Sequence, residues 1–179
     1  MSTAQSQKFA YLGPVGTFTE AALKKITCDS DIKIPYANVT AALDAVRTGD
    51  ADFALVPIEN SVEGVVARTL DELAIGDPLT ISGEVTLPVT FAFMVKVGTQ
   101  DVKRIGTHPH AESQCREYIA HKYPHAEIVP FPSTSAAAEA VSKGAIDAAI
   151  ASSSAAEHFG LEIREVDIGE NSEIGRAHV

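Results

Sequence analysis

The chain has 179 residues, 45% of them hydrophobic, and a formal charge of −10. That is enough apolar material for a substantial core, while the acidic balance, without basic patches or interleaved aromatics, excludes a nucleic-acid partner. No apolar run approaches the roughly 20 residues that span a bilayer, and Met1–Gln7 lacks the charged start and apolar segment of a secretion signal, so no membrane association and a cytoplasmic location are expected.

In chain order, Phe9–Leu12 reads as a short apolar strand running into the turn Gly13-Pro14-Val15-Gly16. Thr17-Phe18-Thr19-Glu20 then has the capping-box spacing that starts a helix reaching about Ile26. Ile32–Tyr36 is the next predicted strand, Val39–Thr48 a helix stopped by Gly49, and Phe53–Val56 a buried strand. A shorter helix around Thr69–Ala74 leads to extended segments at Leu79–Leu87 and Phe91–Val95, the candidate hinge. The order then repeats. Ile105–Thr107 is a strand, about Pro109 to His121 a helix, Glu127–Val129 a strand, the alanine-rich stretch to Lys143 a helix, and Ala148–Ile150 a strand. A last helix follows, for which Ser154 and Glu157 supply a cap and Gly160 a stop.

This recurrence is visible in the residues themselves. Residues 8–55 and 103–150 align without a gap, placing Pro14 on Pro109, Pro35 on Pro130, Gly49 on Gly144 and Asp52 on Asp147. A repeat this long is one βαβα lobe used twice rather than a solenoid unit. The expected fold is therefore α/β, with two similar lobes (about 8–85 and about 90–168), each a small, mostly parallel sheet flanked by helices. A ligand is expected between the lobes.

In open α/β sheets, ligand chemistry gathers where strands end and helix N-termini offer free N–H groups. After Phe53–Val56 comes Pro57-Ile58-Glu59-Asn60-Ser61-Val62-Glu63-Gly64, a carboxylate, an amide and a hydroxyl in succession. The same run also suits a plain polar turn in which Asn60 caps the next helix. Gly106-Thr107-His108-Pro109-His110 precedes a helix carrying Ser113, Gln114 and Cys115, and Pro132-Ser133-Thr134-Ser135 precedes the alanine-rich helix. Both suit anion binding or simple capping. The two histidines have no third ligand at a fixed short spacing, and Cys28 and Cys115 lie in unrelated contexts, so neither a metal nor a disulfide is expected. Gly13 and Gly16 lack the GxGxxG spacing of a dinucleotide site, so no cofactor is expected. Ser152-Ser153-Ser154 has no glycine-flanked nucleophile elbow.

Taken together, these motifs resemble the catalytic domain of the prephenate dehydratase family over residues 8 to about 171. The family's Tyr-Leu-Gly-Pro-x-Gly-Thr-Phe turn matches Tyr11–Phe18, and its Val-Pro-Ile-Glu-Asn-Ser with a glycine three residues on matches Val56–Gly64. Its Ser/Thr-His-Pro with a downstream Gln-Cys pair matches Thr107, His108, Pro109, Gln114 and Cys115, and its Ser-Thr-Ser-Ala-Ala matches Ser133–Ala137. The resemblance implies a type II periplasmic-binding-protein-like fold with the active site in a cleft, and conversion of prephenate to phenylpyruvate on the route to L-phenylalanine. It implies Glu59 and Asn60 as catalytic residues. Substrate binding falls to Gly13, Thr17, Ser61, Thr107, Gln114, Ser133, Thr134 and Ser135, neutral donors suited to a dianion on an acidic chain. A dimer or larger homo-oligomer is also implied, and phenylalanine becomes an effector only where a regulatory ACT domain follows, which is absent from these 179 residues.

One family feature is missing. A Thr-Arg-Phe motif, whose threonine is thought to assist departure of the hydroxyl, is expected shortly after an asparagine, but here Asn171-Ser172 runs into Glu173-Ile174-Gly175-Arg176-Ala177-His178-Val179. Those residues are the translation of GAG ATC GGA AGA GCA CAC GTC, a common sequencing-adapter string, so 173–179 read as a non-native tail, with no strand alternation over Gly175–Val179, and the chain as an inactive fragment. The other readings are a non-catalytic two-lobed protein that binds small anions, an arogenate dehydratase, and a prephenate decarboxylase lacking the threonine.

Overall fold

Phe9, Ala10 and Tyr11 are all buried although they are consecutive, the signature of a parallel strand covered on both faces. They belong to β1 (Lys8–Leu12), which is followed by α1 (Phe18–Ile26), β2 (Ile32–Tyr36), α2 (Val39–Arg47), β3 (Phe53–Asn60), β4 (Gly64–Val65), α3 (Ala67–Ile75) and β5 (Glu84–Val89). Then come β6 (Ala92–Val95), β7 (Arg104–Thr107), α4 (Pro109–Gln114), α5 (Arg116–Lys122), β8 (Glu127–Pro130), α6 (Thr134–Ser142), β9 (Ala148–Ala151), α7 (Ser153–Phe159), β10 (Glu162–Glu165) and β11 (Glu173–His178). The structure is a computed structural model that describes residues 6–60, 64–170 and 173–178. The chain divides into two units, one comprising residues up to Pro14, Phe18–Pro88 and the stretch from Glu173, the other Val15–Thr17 and Val89–Ser172.

The first unit holds a sheet in the order β2-β1-β3-β11-β5, with β4 paired to β3. β1 runs parallel to β2 and β3, whereas β11 and β4 lie antiparallel to β3. α2 buries Val39, Ala42 and Leu43, spaced to lie on one helix face, in a cluster with Ala10, Ala54 and Val56. A further core cluster joins Phe9, Tyr11, Leu23, Leu55, Val85 and Ala177. The second unit has the order β10-β6-β9-β7-β8, in which β8, β7 and β9 are parallel and β6 and β10 antiparallel. Its core is built on β9, whose four residues Ala148–Ala151 are all buried, and on Ala137, Ala138 and Val141 of α6.

The internal repeat is thus a real structural repeat: β2-β1-β3 and β8-β7-β9 are the same three-stranded parallel core. Its helix caps repeat as well. The Asn38 side chain accepts the Ala41 N–H at 2.8 Å, and Ser133, at the aligned position, accepts the Ala136 N–H at 3.0 Å.

Four local expectations are corrected. Both sheets are mixed rather than mostly parallel, because the strands that return to each core do so antiparallel. The helix expected over Pro109–His121 is two helices broken at Cys115, whose N–H donates to both Ala111 O and Glu112 O while its backbone leaves the helical region. The cap of α7 is Ser152, which accepts the Ala155 N–H, rather than Ser154 with Glu157. Finally, Glu173–His178 forms a strand despite its lack of alternation, with Gly175 opposite Asn60 and His178 opposite Val56.

Candidate active site

In the first unit the polar run Pro57–Asn60 lies inside β3 rather than in a turn after it. Asn60 does not cap the next helix. It pairs with Gly64, Glu59 pairs with Val65, and α3 begins after Val66 with no side-chain cap. β3 is therefore buried through Ile58 and emerges with Glu59 exposed and Asn60 half-buried. Ser61 lies outside the described residues. Gly13 donates its N–H to Tyr36 O at 2.8 Å, and a Cβ there would stand 2.8 Å from Pro35 Cβ, so its place is a close packing of the turn on the end of β2.

A residue that sequence reasoning missed holds this strand end. Thr69 of α3 is fully buried, and its hydroxyl donates to Pro57 O at 2.6 Å. Val66 N–H adds a bond to Ile58 O at 2.8 Å, so α3 anchors the two peptides that precede Glu59. The only available signal was a threonine inside an otherwise amphipathic helix, which more often reports an exposed face. Nearby, burial and the Glu20 carboxylate push the Tyr11 phenol well above its ordinary range, so it remains protonated.

In the second unit, Thr107 ends β7, Gln114 ends α4, Ser133 to Ser135 open α6 after β8, and Val15–Thr17 belong to the same unit. Their hydroxyls are not equivalent. Thr107 is fully buried, and its Oγ1 donates to Ile150 O at 2.9 Å, tying β7 to β9. Ser135, also fully buried, donates to Val15 O. Ser133 is half-buried and caps α6, and Thr134 and Thr17 are half-buried. Gln114, 5% exposed, ends α4. Its carbonyl accepts the Glu170 N–H at 2.7 Å, and the Glu170 carboxylate accepts the Glu117 N–H at 2.8 Å at the start of α5. Thr107 and Ser135 are thus buried on backbone carbonyls, whereas Ser133, Thr134 and Thr17 are half-buried.

A second missed residue is Ser152, whose buried hydroxyl donates to Gly16 O at 3.0 Å. The signal in the sequence is Ser152-Ser153-Ser154, a hydroxyl run at a helix start that suits backbone contacts as well as a nucleophile. Among the described residues no His, Cys, Asp or Glu cluster suits a metal, and no helix is long and apolar enough to cross a membrane.

Compared with known proteins, the chain matches the family model described as prephenate dehydratase over residues 9–174. It is 42% identical over 163 residues to a prephenate dehydratase of Amycolatopsis methanolica, covering 91% of this chain and 54% of that one. Among solved structures, the prephenate dehydratase of Arthrobacter aurescens in complex with L-Phe matches with TM-score 0.88 and 42% identity, over 96% of this chain and 59% of the other. A protein described as GqqA, a novel type of quorum quenching acylase, matches with TM-score 0.82 and 28% identity, over 96% and 63%. The chain thus spans about half the length of the curated relatives it matches. The fold is the type II periplasmic-binding-protein-like α/β fold, and the chain belongs to the prephenate dehydratase family.

Proposed function

We propose that this chain carries out the decarboxylative dehydration of prephenate to phenylpyruvate, a hydro-lyase reaction in L-phenylalanine biosynthesis. The observation that carries the reading is the family match over residues 9–174, which includes the Glu59-Asn60 end of β3. In this reaction the bond from the ring to its carboxylate breaks and carbon dioxide leaves. The released electron pair enters the ring, and the para C–O bond breaks, the departing hydroxide taking a proton to become water. Aromatisation supplies the driving force, so the residues need only hold the dianion and assist the leaving group. Glu59 and Asn60 orient the ring and its hydroxyl. Thr17, Ser61, Gln114, Ser133 and Thr134 bind the carboxylates as neutral donors, while Gly13, Thr107 and Ser135 fix the backbone around them.

Residues 171–179 contain no Thr-Arg-Phe, so turnover by this 179-residue stretch is expected about 10²- to 10³-fold below that of a relative that has the threonine, with prephenate binding retained. The protein acts in the cytoplasm as a homo-oligomer, and phenylalanine regulates it only through an added ACT domain. The test is to incubate the purified chain with prephenate, and in parallel with arogenate, and to follow phenylpyruvate, phenylalanine and carbon dioxide. Failure to bind either substrate, measured by calorimetry, overturns the reading. The likeness to GqqA supplies a second activity for the same preparation, cleavage of an acylase substrate, but at lower identity than the dehydratase relatives.

A further inference from the structure

Gly16 sits in the left-handed region, φ +82°, and a Cβ there would stand 2.8 Å from Ser135 Oγ and 3.3 Å from Ala155 Cα. Both its conformation and its surroundings therefore require glycine. Two hydroxyls hold the short segment on either side of it. Ser135 donates to Val15 O and Ser152 to Gly16 O, so consecutive carbonyls are each bound by a serine from the first turn of a different helix.

The Ser152 hydroxyl is fully used. Its single proton goes to Gly16 O, so the Ser154 hydroxyl, 2.9 Å away, donates to it, and the Ala155 N–H donates to it at 3.3 Å. Ser152 is 4% exposed, which makes this arrangement costly to leave half satisfied. Because the peptide is planar and trans, fixing the Gly16 carbonyl also fixes the Thr17 N–H, which points the opposite way. The direction of the Thr17 N–H thus follows from a hydrogen bond made by a residue 136 positions away from Gly16 in sequence.

We propose that Ser152 is a positioning residue for substrate binding: it holds the Gly16 carbonyl and so presents Thr17 in one orientation to a carboxylate of the substrate. This rests on the reading of Thr17 as a prephenate-binding residue given under Proposed function. Ser152 itself touches no substrate.

The test uses the 179-residue chain with Ser152→Gly, Ser152→Ala and Ser152→Thr. Glycine is nearly as good an N-cap as serine, so Ser152→Gly removes the hydroxyl while leaving α7 almost as stable; Ser152→Ala removes both functions; Ser152→Thr restores both. Two quantities are read: the amide chemical shifts of Gly16 and Thr17 by NMR, and the dissociation constant of prephenate by calorimetry. The expected result is that Ser152→Gly and Ser152→Ala shift or broaden both amides and weaken prephenate binding about fivefold to tenfold, whereas Ser152→Thr stays near wild type in both. Unchanged amides and unchanged affinity in a folded Ser152→Gly variant overturn the proposal, as does a loss of thermal stability with no change in either. Moved amides with unchanged affinity also overturn it, since the clamp would then be structural only. If the wild type binds no prephenate, the functional reading fails instead, and with it the role of Ser152 in binding; the amide shifts then report only whether the clamp exists.

Discussion

Asp52 and Asp147 perform the same task in the two units. Asp52 Oδ2 accepts the Lys8 N–H at 2.7 Å, and Asp147 Oδ2 accepts the N–H groups of Lys103 and Arg104 at 3.0 and 2.8 Å. Each aspartate stands just before the third strand of its parallel core and ties down the start of the first, so the strand order of the repeat is pinned by the same carboxylate. Ser133 and Asn38 repeat the helix cap in the same way. The aligned polar residues are thus retained for backbone contacts that any sequence adopting this βαβα arrangement must satisfy.

The difference between the two aspartates sets an expectation. Asp147 receives two backbone donors and is half-buried, whereas Asp52 receives one and is exposed. Asp147→Ala should cost about 1–2 kcal/mol and Asp52→Ala about 1 kcal/mol or less. Urea unfolding followed by circular dichroism measures both, and the larger effect should fall on Asp147.

Glu72 predicts a pH dependence. The Thr40 hydroxyl donates to it at 2.7 Å, and with Arg47 and Arg68 it holds the carboxyl below its ordinary value of 4.5. A carboxylate lowered in the folded state binds protons less readily than in the unfolded chain. Its contribution is therefore fully present above about pH 4.5 and is lost as pH falls through the folded value. Glu72→Gln should lower the melting temperature at pH 7, and its gap from wild type should close on acidification below about pH 4.5. A gap constant from pH 7 down to about pH 3 would show that the contact of α3 with α2 does not depend on this charge.

Much of this architecture was legible because burial is periodic in sequence. β1, β2, α2 and β9 follow from apolar residues, from helical spacing, and from the glycines that follow α2 and α6. Two kinds of feature were not legible. Asn60 suited a cap as well as a ligand, because asparagine before a helix often caps it; its pairing with Gly64 is not encoded in local spacing. Thr107, Ser135 and Ser152 were legible as polar residues near strand ends, but whether a hydroxyl faces a ligand or a carbonyl more than 40 residues away is decided by tertiary contact alone. Polar residues near strand ends therefore include side chains that hold the backbone beside those proposed to bind substrate.

The Thr-Arg-Phe expectation can be tested directly. Gly175 pairs with Asn60, so residue 173 lies two positions beyond, past the end of β3 where Glu59 and Asn60 emerge. Installing Thr, Arg and Phe at 173, 174 and 175 restores the motif on the strand that pairs with Glu59 and Asn60. Phenylpyruvate formation should rise about 10²- to 10³-fold, and Glu59→Gln in that background should remove most of the gain. An unchanged rate in the triple variant would mean that another group serves as the acid.

The last prediction concerns Ala177. Read from sequence, 173–179 offered no strand pattern, yet β11 lies between β3 and β5, and Ala177 is 7% exposed in the cluster of Phe9, Tyr11, Leu23, Leu55 and Val85. Strand pairing uses backbone groups that every residue here carries, so a sequence without alternation can fill the position. Ala177 is buried at the point where the pairing register shifts between Arg176 and Ala177. Ala177→Asp would place a carboxylate in that apolar cluster and should cost about 3 kcal/mol, while Ala177→Val should cost about 1–2 kcal/mol through overpacking. Urea midpoints measured on both variants decide the matter: if neither moves the midpoint, β11 contributes nothing to the first unit, and residues 173–178 can be replaced without loss of stability.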